Sequence, residues 1–230
     1  MLNRILEPEV MDTVAEAVDY NSMDHSTVNR IFVDDFLSAI GSKPDGEPLQ
    51  IFDAGTGTAL IPIELLSRKI PVMITASDLA EQMLIVAAEN VKAAGCDQSI
   101  RLVRSDCKQL PDATEIYDAV ISNSIIHHIP EPRFVLGEMW RILKLGGLLF
   151  VRDLMRPTDL TTLEWLVETY AGPANPHQKQ MFRDSLHAAL TVAEVAEMMR
   201  ELRIPQDSVR ATSDRHWTIC IQKHFAQNKS

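Results

Sequence analysis

Apolar positions recur along this chain at two spacings, and their alternation predicts the architecture. Leu49–Asp53, Ile70–Asp78, Ile100–Asp106, Tyr117–Asn123 and Leu148–Val151 are short apolar runs of strand length. Between them the spacing becomes helical. Leu60, Ile61, Leu65 and Leu66 form one stripe, with Pro62 tolerable in a first turn that has few intrahelical N–H bonds to lose. Met83, Val86, Ala87, Val91 and Ala94 form a second, stopped by Gly95. Phe134, Val135, Met139 and Leu143 point inward from a third helix over Glu131–Lys144, broken by Gly146-Gly147. Strands separated by single helices imply right-handed parallel crossovers. The predicted class is therefore α/β, a doubly wound Rossmann-like sheet with helices on both faces.

The flanks extend this pattern. Leu6, Val10, Val14 and Val18, then Val28, Ile31, Phe32, Phe36 and Ile40, predict a helical prefix over residues 1–45. The polar stretch Tyr20–His25 lies between the two stripes, and Lys43–Pro48 reads as a linker into the first strand. After the fifth strand, residues 154–190 hold no strand-like run but carry Trp165, Tyr170 and Phe182, which suggests an inserted lid whose aromatics either form a pocket wall or close the lid on the core. A last helical stripe runs through Val192, Val195, Ala196, Met199 and Leu202. Asp207–Thr212 and His216–Ile221 then predict two closing strands, too near in sequence for a parallel crossover and so antiparallel. That makes seven strands, mostly parallel with an antiparallel final strand.

The whole-chain properties narrow the function. At 230 residues the length suits a single domain over 1–230 with an ample core. A formal net charge of −10 argues against nucleic acid as the main partner, because phosphate binding needs a basic face. No run is long enough to span a bilayer, and the N-terminus lacks a charged-then-apolar leader pattern. Cys96, Cys107 and Cys220 show no metal-ligand spacing, so no metal is expected, and so few cysteines suit a reducing cytoplasm.

The candidate chemistry sits at the strand ends. Asp53 closes the first strand, and Gly55 and Gly57 allow a tight turn with close approach of backbone to a ligand. The dinucleotide fingerprint G-x-G-x-x-G fails at its third glycine, where Leu60 stands. Asp78, 25 positions after Asp53, ends the second strand and suits a bidentate grip on ribose hydroxyls, with a helix N-cap as its plainer role. Asp106 ends the third strand, where a carboxylate can accept an adenine amino hydrogen while the next backbone N–H donates to the ring. Taken alone it is also an ordinary turn-former. Three acids along one sheet edge favour a cationic ligand over a pyrophosphate, which they would repel.

These motifs resemble the class I S-adenosylmethionine-dependent methyltransferases, and most closely the small-molecule group containing the ubiquinone/menaquinone C-methyltransferases. The resemblance rests on Asp53-Ala54-Gly55-Thr56-Gly57, Asp78, Ser105-Asp106-Cys107, Asn123–Pro132, Leu143–Gly147 and the closing hairpin. It covers residues 49–153 strongly and 191–222 in outline, with Ala59 where the family often has another glycine. It implies S-adenosyl-L-methionine as cofactor and a small-molecule acceptor. Tyr20, Asp53, Ala54, Gly55, Thr56, Gly57, Asp78, Leu79, Asp106, Cys107, Asn123 and Ser124 would then line the cofactor. Asp53 and Asn123 would lie at its amino end and Tyr20 over it. His127 and His128 stand where a general base is wanted, although paired histidines are common in this loop of the family whatever the substrate. Arg152, Arg156 and Arg183 could clamp an acidic substrate, with ordinary salt bridging as the alternative. The rival functions are an NAD-dependent oxidoreductase, or a non-catalytic S-adenosylmethionine-binding regulatory subunit. The sequence is silent on oligomeric state.

Overall fold

A computed structural model of the chain describes residues 2–8, 10, 12–41 and 47–224. Residues 43–46 of the expected linker lie outside the described residues. The strands are β1 (Leu49–Ala54), β2 (Val72–Asp78), β3 (Ile100–Arg104), β4 (Tyr117–Asn123), β5 (Leu143–Leu154), β6 (Val209–Ala211) and β7 (His216–Gln222). They form one seven-stranded sheet in the order β3-β2-β1-β4-β5-β7-β6. β1 pairs in parallel with both β2 and β4, and β2 with β3, whereas β6 and β7 are antiparallel. The strand order reverses at β1, whose neighbours are β2 and β4. That is the switch point at which sheets of this kind open a crevice.

The chain divides into two compact units, each discontinuous in sequence. The first comprises Val10–Asn123, Phe134–Val151 and Cys220–Ser230. It contains helices α1 (Val14–Ser22), α2 (Ser26–Ile40), α3 (Leu60–Ser67) and α4 (Glu81–Ala93), with nearly all of α5 (Pro132–Ile142). In α2 the buried set Asn29, Phe32, Val33 and Phe36 follows the i, i+3, i+4, i+7 rule. Phe32 and Phe36 meet Phe150 edge-on, with centroids at 5.1 and 5.9 Å, in a core shared with Ile51, Ile74 and Ile121.

The helical prefix begins later than its apolar spacing predicts. Residues 2–8, 10 and 12 are not helical, and α1 starts after Thr13, whose hydroxyl accepts from the Glu16 N–H while the Glu16 carboxylate accepts from the Thr13 N–H. Pro8 has no N–H to give a helix there, and the capping box sets the start downstream. α5 is shorter than expected and β5 correspondingly longer. Gly146 and Gly147 lie inside the strand and exchange backbone bonds with Lys223 at 2.6 and 2.8 Å. Gly147 is required by space: a Cβ there would lie 2.7 Å from Leu143 Cδ1 and 2.9 Å from the Asp118 carbonyl oxygen. The inward face of α5 is Val135, Leu136, Met139 and Ile142, which leaves Phe134 45% exposed.

The second unit comprises Met1–Glu9, Ser124–Arg133 and Arg152–Ile219. Here residues 154–190 form α6 (Leu160–Ala171) and α7 (Pro176–Ala188), followed by α8 (Val192–Glu201). Leu163, Leu166 and Val167 pack with Leu186, Ala189 and Leu154. The aromatic pocket wall does not form. Trp165 is 53% exposed, the Tyr170 ring is covered by the Arg215 guanidinium at 3.3 Å, and Phe182 packs on the α6–α7 cluster. Among the described residues no helix is long and apolar enough to cross a membrane.

Phe150→Ala removes the ring on which both α2 phenylalanines rest and should cost about 3–5 kcal/mol in urea unfolding. Trp165→Ala should stay within about 0.5 kcal/mol. Equal losses would show that Phe150 does not anchor the core.

Candidate functional site

In the first unit the turn after β1 is made of alternating left-handed residues: Gly55 at φ +68°, Gly57 at +54° and Ala59 at +62°. Ala59 occupies the position where the resembled family often carries glycine. It is fully buried and serves as the N-cap residue of α3, so this chain accepts the roughly 1–2 kcal/mol that a Cβ costs in that conformation. Two contacts hold the turn. The Thr56 N–H donates to the Ser77 carbonyl at 2.8 Å, and the Gly57 N–H donates to Asp78 Oδ2 at 2.8 Å. Asp78 Oδ1 accepts from the Ala80 N–H at 2.9 Å. The N-cap of α4 is Ala80 itself. Asp78 is therefore a clasp between β2 and the glycine turn, not the cap its sequence context suggested as the alternative.

Tyr20 lies over this turn. A Cβ on Gly57 would sit 3.6 Å from Tyr20 Cε1, and the ring stacks on His25 at 4.6 Å. Burial, with the Asp78 and Asp53 charges added, pushes the phenol up to about 12. A polar cavity beneath is lined by Tyr20, Asn29, Asp53, Gly55, Thr56, Thr58, Leu60, Ile61 and Asn123. Four oxygens of these residues, Asp53 Oδ2, Thr56 Oγ1, Thr58 Oγ1 and Asn123 Oδ1, are buried without a hydrogen-bond partner. Leaving such groups unmet is costly, and the Asn123 amide oxygen and an ionised Asp53 carboxylate can only accept. Burial lifts the Asp53 carboxyl to about 7, and the Asp78 charge adds to the shift. What fits is a ligand group rich in N–H donors and carrying positive charge. An amino-acid ammonium is one.

The remaining cofactor candidates of this unit are placed less uniformly. Ala54 is buried and its carbonyl accepts from Ser122 Oγ at 2.8 Å. The Leu79 carbonyl accepts from Arg104 Nε at 3.2 Å. The Cys107 thiol is buried, which raises it to about 12. Asp106 differs from Asp53 and Asp78: its side chain is 42% exposed and carries the Lys108 ammonium at 3.2 Å. Asn29 and Thr58 were missed from sequence. The available signal for Asn29 was a polar side chain interrupting the apolar stripe of α2.

The second unit holds the other candidates. Ser124, at φ +60°, donates its N–H to the Arg152 carbonyl at 2.9 Å. His127 and His128 lie on a 3₁₀ turn (Ile126–His128), with ring centroids 4.1 Å apart. His127 Nδ1 is 2.5 Å from Asp153 Oδ1, and Asp153 Oδ2 accepts the Ile126 N–H at 2.5 Å. On the other side Glu7 Oε1 lies 3.5 Å from His127 Nε2 and 3.1 Å from His128 Nδ1. Burial alone would lower His127, but Asp153 and Glu7 outweigh it and leave the imidazole raised. Burial and the neighbouring His127 push His128 down to about 3. Asp153 continues the series of strand-end acids on β5 and was legible as such. Glu7 carried no signal.

The three arginines do not converge on a clamp. Arg152 Nε donates to Thr218 Oγ1 at 3.0 Å, and Arg156 donates to the Ala189 carbonyl and to Glu194 at 3.0 and 2.6 Å. Arg183 grips Glu164 of α6 through two bonds at 2.8 and 2.7 Å.

Residues 52–151 match the family described as "Methyltransferase domain". The chain is similar to the demethylmenaquinone methyltransferase of Bacteroides fragilis, at 30% identity over 149 residues that cover 65% of this chain and 60% of that protein. It is also similar to the ubiquinone/menaquinone biosynthesis C-methyltransferase of Rhizobium meliloti, at 28% identity over 63% of this chain and 57% of the relative. It thus spans about three fifths of the length of these curated relatives. In fold it is similar to a SAM-dependent methyltransferase from Aquifex aeolicus (TM-score 0.63, 17% identity, 90% and 97% of the two chains). A plantazolicin methyltransferase solved in complex with SAH is also similar (TM-score 0.68, 17% identity, 86% and 73%). The strand-end motifs Asp53, Asp78, Asp106 and Asn123 all lie inside the matched segment, and the strand order of the fold runs intact around them.

Proposed function

We propose that the protein transfers a methyl group from S-adenosyl-L-methionine to a small-molecule acceptor in the cytoplasm and releases S-adenosylhomocysteine. The observation that carries the reading is the group of unmet buried oxygens of Asp53, Thr56, Thr58 and Asn123 beneath Tyr20. When bound, the cofactor supplies an already activated methyl on a sulfonium. The chain's own part is to bind, orient and exclude water.

Asp53 and Asn123 take the ammonium hydrogens. Asp78, with one N–H on each oxygen, keeps lone pairs for two ribose hydroxyls while holding the turn. Asp106 and the Cys107 N–H read the adenine edge. Gly55, Thr56 and Gly57 present backbone to the cofactor, Ala54 and Leu79 flank it, and Tyr20 covers the turn against solvent. His127 and His128 receive no proton-transfer role in this reading, because their nitrogens face Asp153 and Glu7. No acidic acceptor is inferred from Arg152, Arg156 or Arg183, whose guanidinium contacts are internal. Demethylmenaquinone is the first acceptor to assay, on the strength of the relatives.

Calorimetry should show S-adenosylhomocysteine binding and no heat with NAD; the opposite result would overturn the reading. Asp78→Ala should weaken that binding by about 1–3 kcal/mol, the cost of stranded partners. An unchanged Kd would reduce Asp78 to a structural clasp.

The raised Asp53 carboxyl predicts a pH dependence in the ligand-free protein. Its folded value of about 7 lies above the ordinary 3.8, so the native state holds the proton more tightly. Its contribution to stability is full below 3.8 and is lost as pH rises through about 7. Urea midpoints should fall over that window, and Asp53→Asn should flatten the fall. Parallel curves for wild type and variant would place the proton elsewhere.

A further inference from the structure

We propose that Glu7, His127 and His128 form a binding site for one zinc ion, which ties the N-terminal segment to the 3₁₀ turn of the second unit. The argument starts from lone pairs. Asp153 takes the Nδ1 side of His127, so in the neutral imidazole Nε2 is the acceptor, facing Glu7 Oε1 at 3.5 Å. His128 donates to the Pro8 carbonyl, and its Nδ1, buried without a hydrogen-bond partner, faces the same Glu7 oxygen at 3.1 Å. Two imidazole nitrogens and a carboxylate oxygen thus converge, all within 4.8 Å of one another, in a half-buried pocket. With His127 neutral, three acceptors point at one another, and a bound cation or a shared proton removes the conflict.

The spacing selects the cation. Zinc–nitrogen and zinc–oxygen bonds of about 2.0–2.2 Å in tetrahedral geometry set ligand–ligand edges of about 3.3 Å. The observed 3.1 and 3.5 Å fall on either side of that edge. Two imidazoles with one carboxylate suit zinc, whereas calcium and magnesium take oxygen ligands. The outer contacts are those a metal ligand needs. Asp153, fully buried and held by the Ile126 N–H, orients His127, and Ser185 Oγ donates to Glu7 Oε1 at 3.1 Å.

One opposing charge is present. The Arg4 guanidinium lies near, but it is engaged by the carbonyl oxygens of His127, Ile129 and Ala188 at 3.1, 2.9 and 2.7 Å. Against it stand Glu7 and Asp153, so two negative charges meet Arg4 and the ion. Three protein ligands leave a fourth position for water. The inference uses no residue of the cofactor cavity and stands apart from the methyltransferase reading.

The test is titration of the purified full-length chain, stripped with a chelator, with Co²⁺ and then Zn²⁺. The expected result is one Co²⁺ per chain with visible d–d absorption, displaced by Zn²⁺, and a rise in Tm on zinc addition that a chelator reverses. Glu7→Gln and His128→Ala should each weaken binding tenfold or more. His177→Ala, on an exposed position of α7, should leave it unchanged. Absent d–d bands with no zinc-dependent Tm would overturn the proposal and leave a shared proton as what settles the cluster. Equal affinity in wild type, Glu7→Gln and His128→Ala would overturn it too, by showing adventitious surface binding. Should either variant fail to fold, the wild-type spectrum and Tm shift still decide.

Discussion

A backbone that turns left-handed at residues 55, 57 and 59 has amides pointing away from any helix or strand, and something must gather them. In this chain the strand edge of β2 does so. The Ser77 carbonyl takes the Thr56 N–H and the Asp78 carboxylate takes that of Gly57. The shape of the cavity follows from this clasp. With the turn pulled onto β2, Asp53 Oδ2 and Asn123 Oδ1, at the ends of β1 and β4, are left without protein partners. Buried acceptors without partners thus lie beside a turn whose Thr56 and Gly57 amides are already taken.

The molecule contains two fully buried strand-end acids, and they are stabilised in opposite ways. Asp53 has only the Thr56 side chain to counter burial, which raises the carboxyl to about 7. Burial acts equally on Asp153, but the adjacent His127 and backbone N–H groups outweigh it, and the carboxyl is lowered. One acid is kept available for a ligand and the other is committed to a side chain. In both cases burial is the larger influence and neighbours decide the outcome. Exposure makes Asp106 a third kind: it keeps water and Lys108 as company.

Much of this was legible in the sequence because it is periodic. The strands, the acids at the tips of the first three and the closing hairpin repeat a pattern with physical meaning at each position. Legibility failed where a local signal competed with a distant one. Gly146 and Gly147 look like a helix stop, yet their backbone pairs with Lys223, some 77 residues on, and they become strand. Leu6 and Val10 fall on the helical spacing of Val14 and Val18, but Pro8 and the Thr13–Glu16 capping box start the helix late. The arginines between 152 and 183 look available in sequence, and each is bound to a partner that periodicity does not reveal.

The N-terminal segment shows why the second cluster was beyond reading from sequence. Glu7 meets His127 and His128 about 120 positions away, and Ser185, its donor, is 178 positions away. Nothing local brings these groups together. The pairing depends on Arg4 and Ile5, which bond to carbonyl oxygens of residues 127, 129, 187 and 188. A non-helical strap with no periodicity of its own is thus placed by backbone acceptors that every sequence possesses. The side chains it delivers, a carboxylate onto two imidazoles, make the contact chemically particular. A helix that had followed the apolar spacing back to residue 6 would have carried Glu7 away on its face. The late start of α1 is therefore what leaves the segment free to run along the histidine turn.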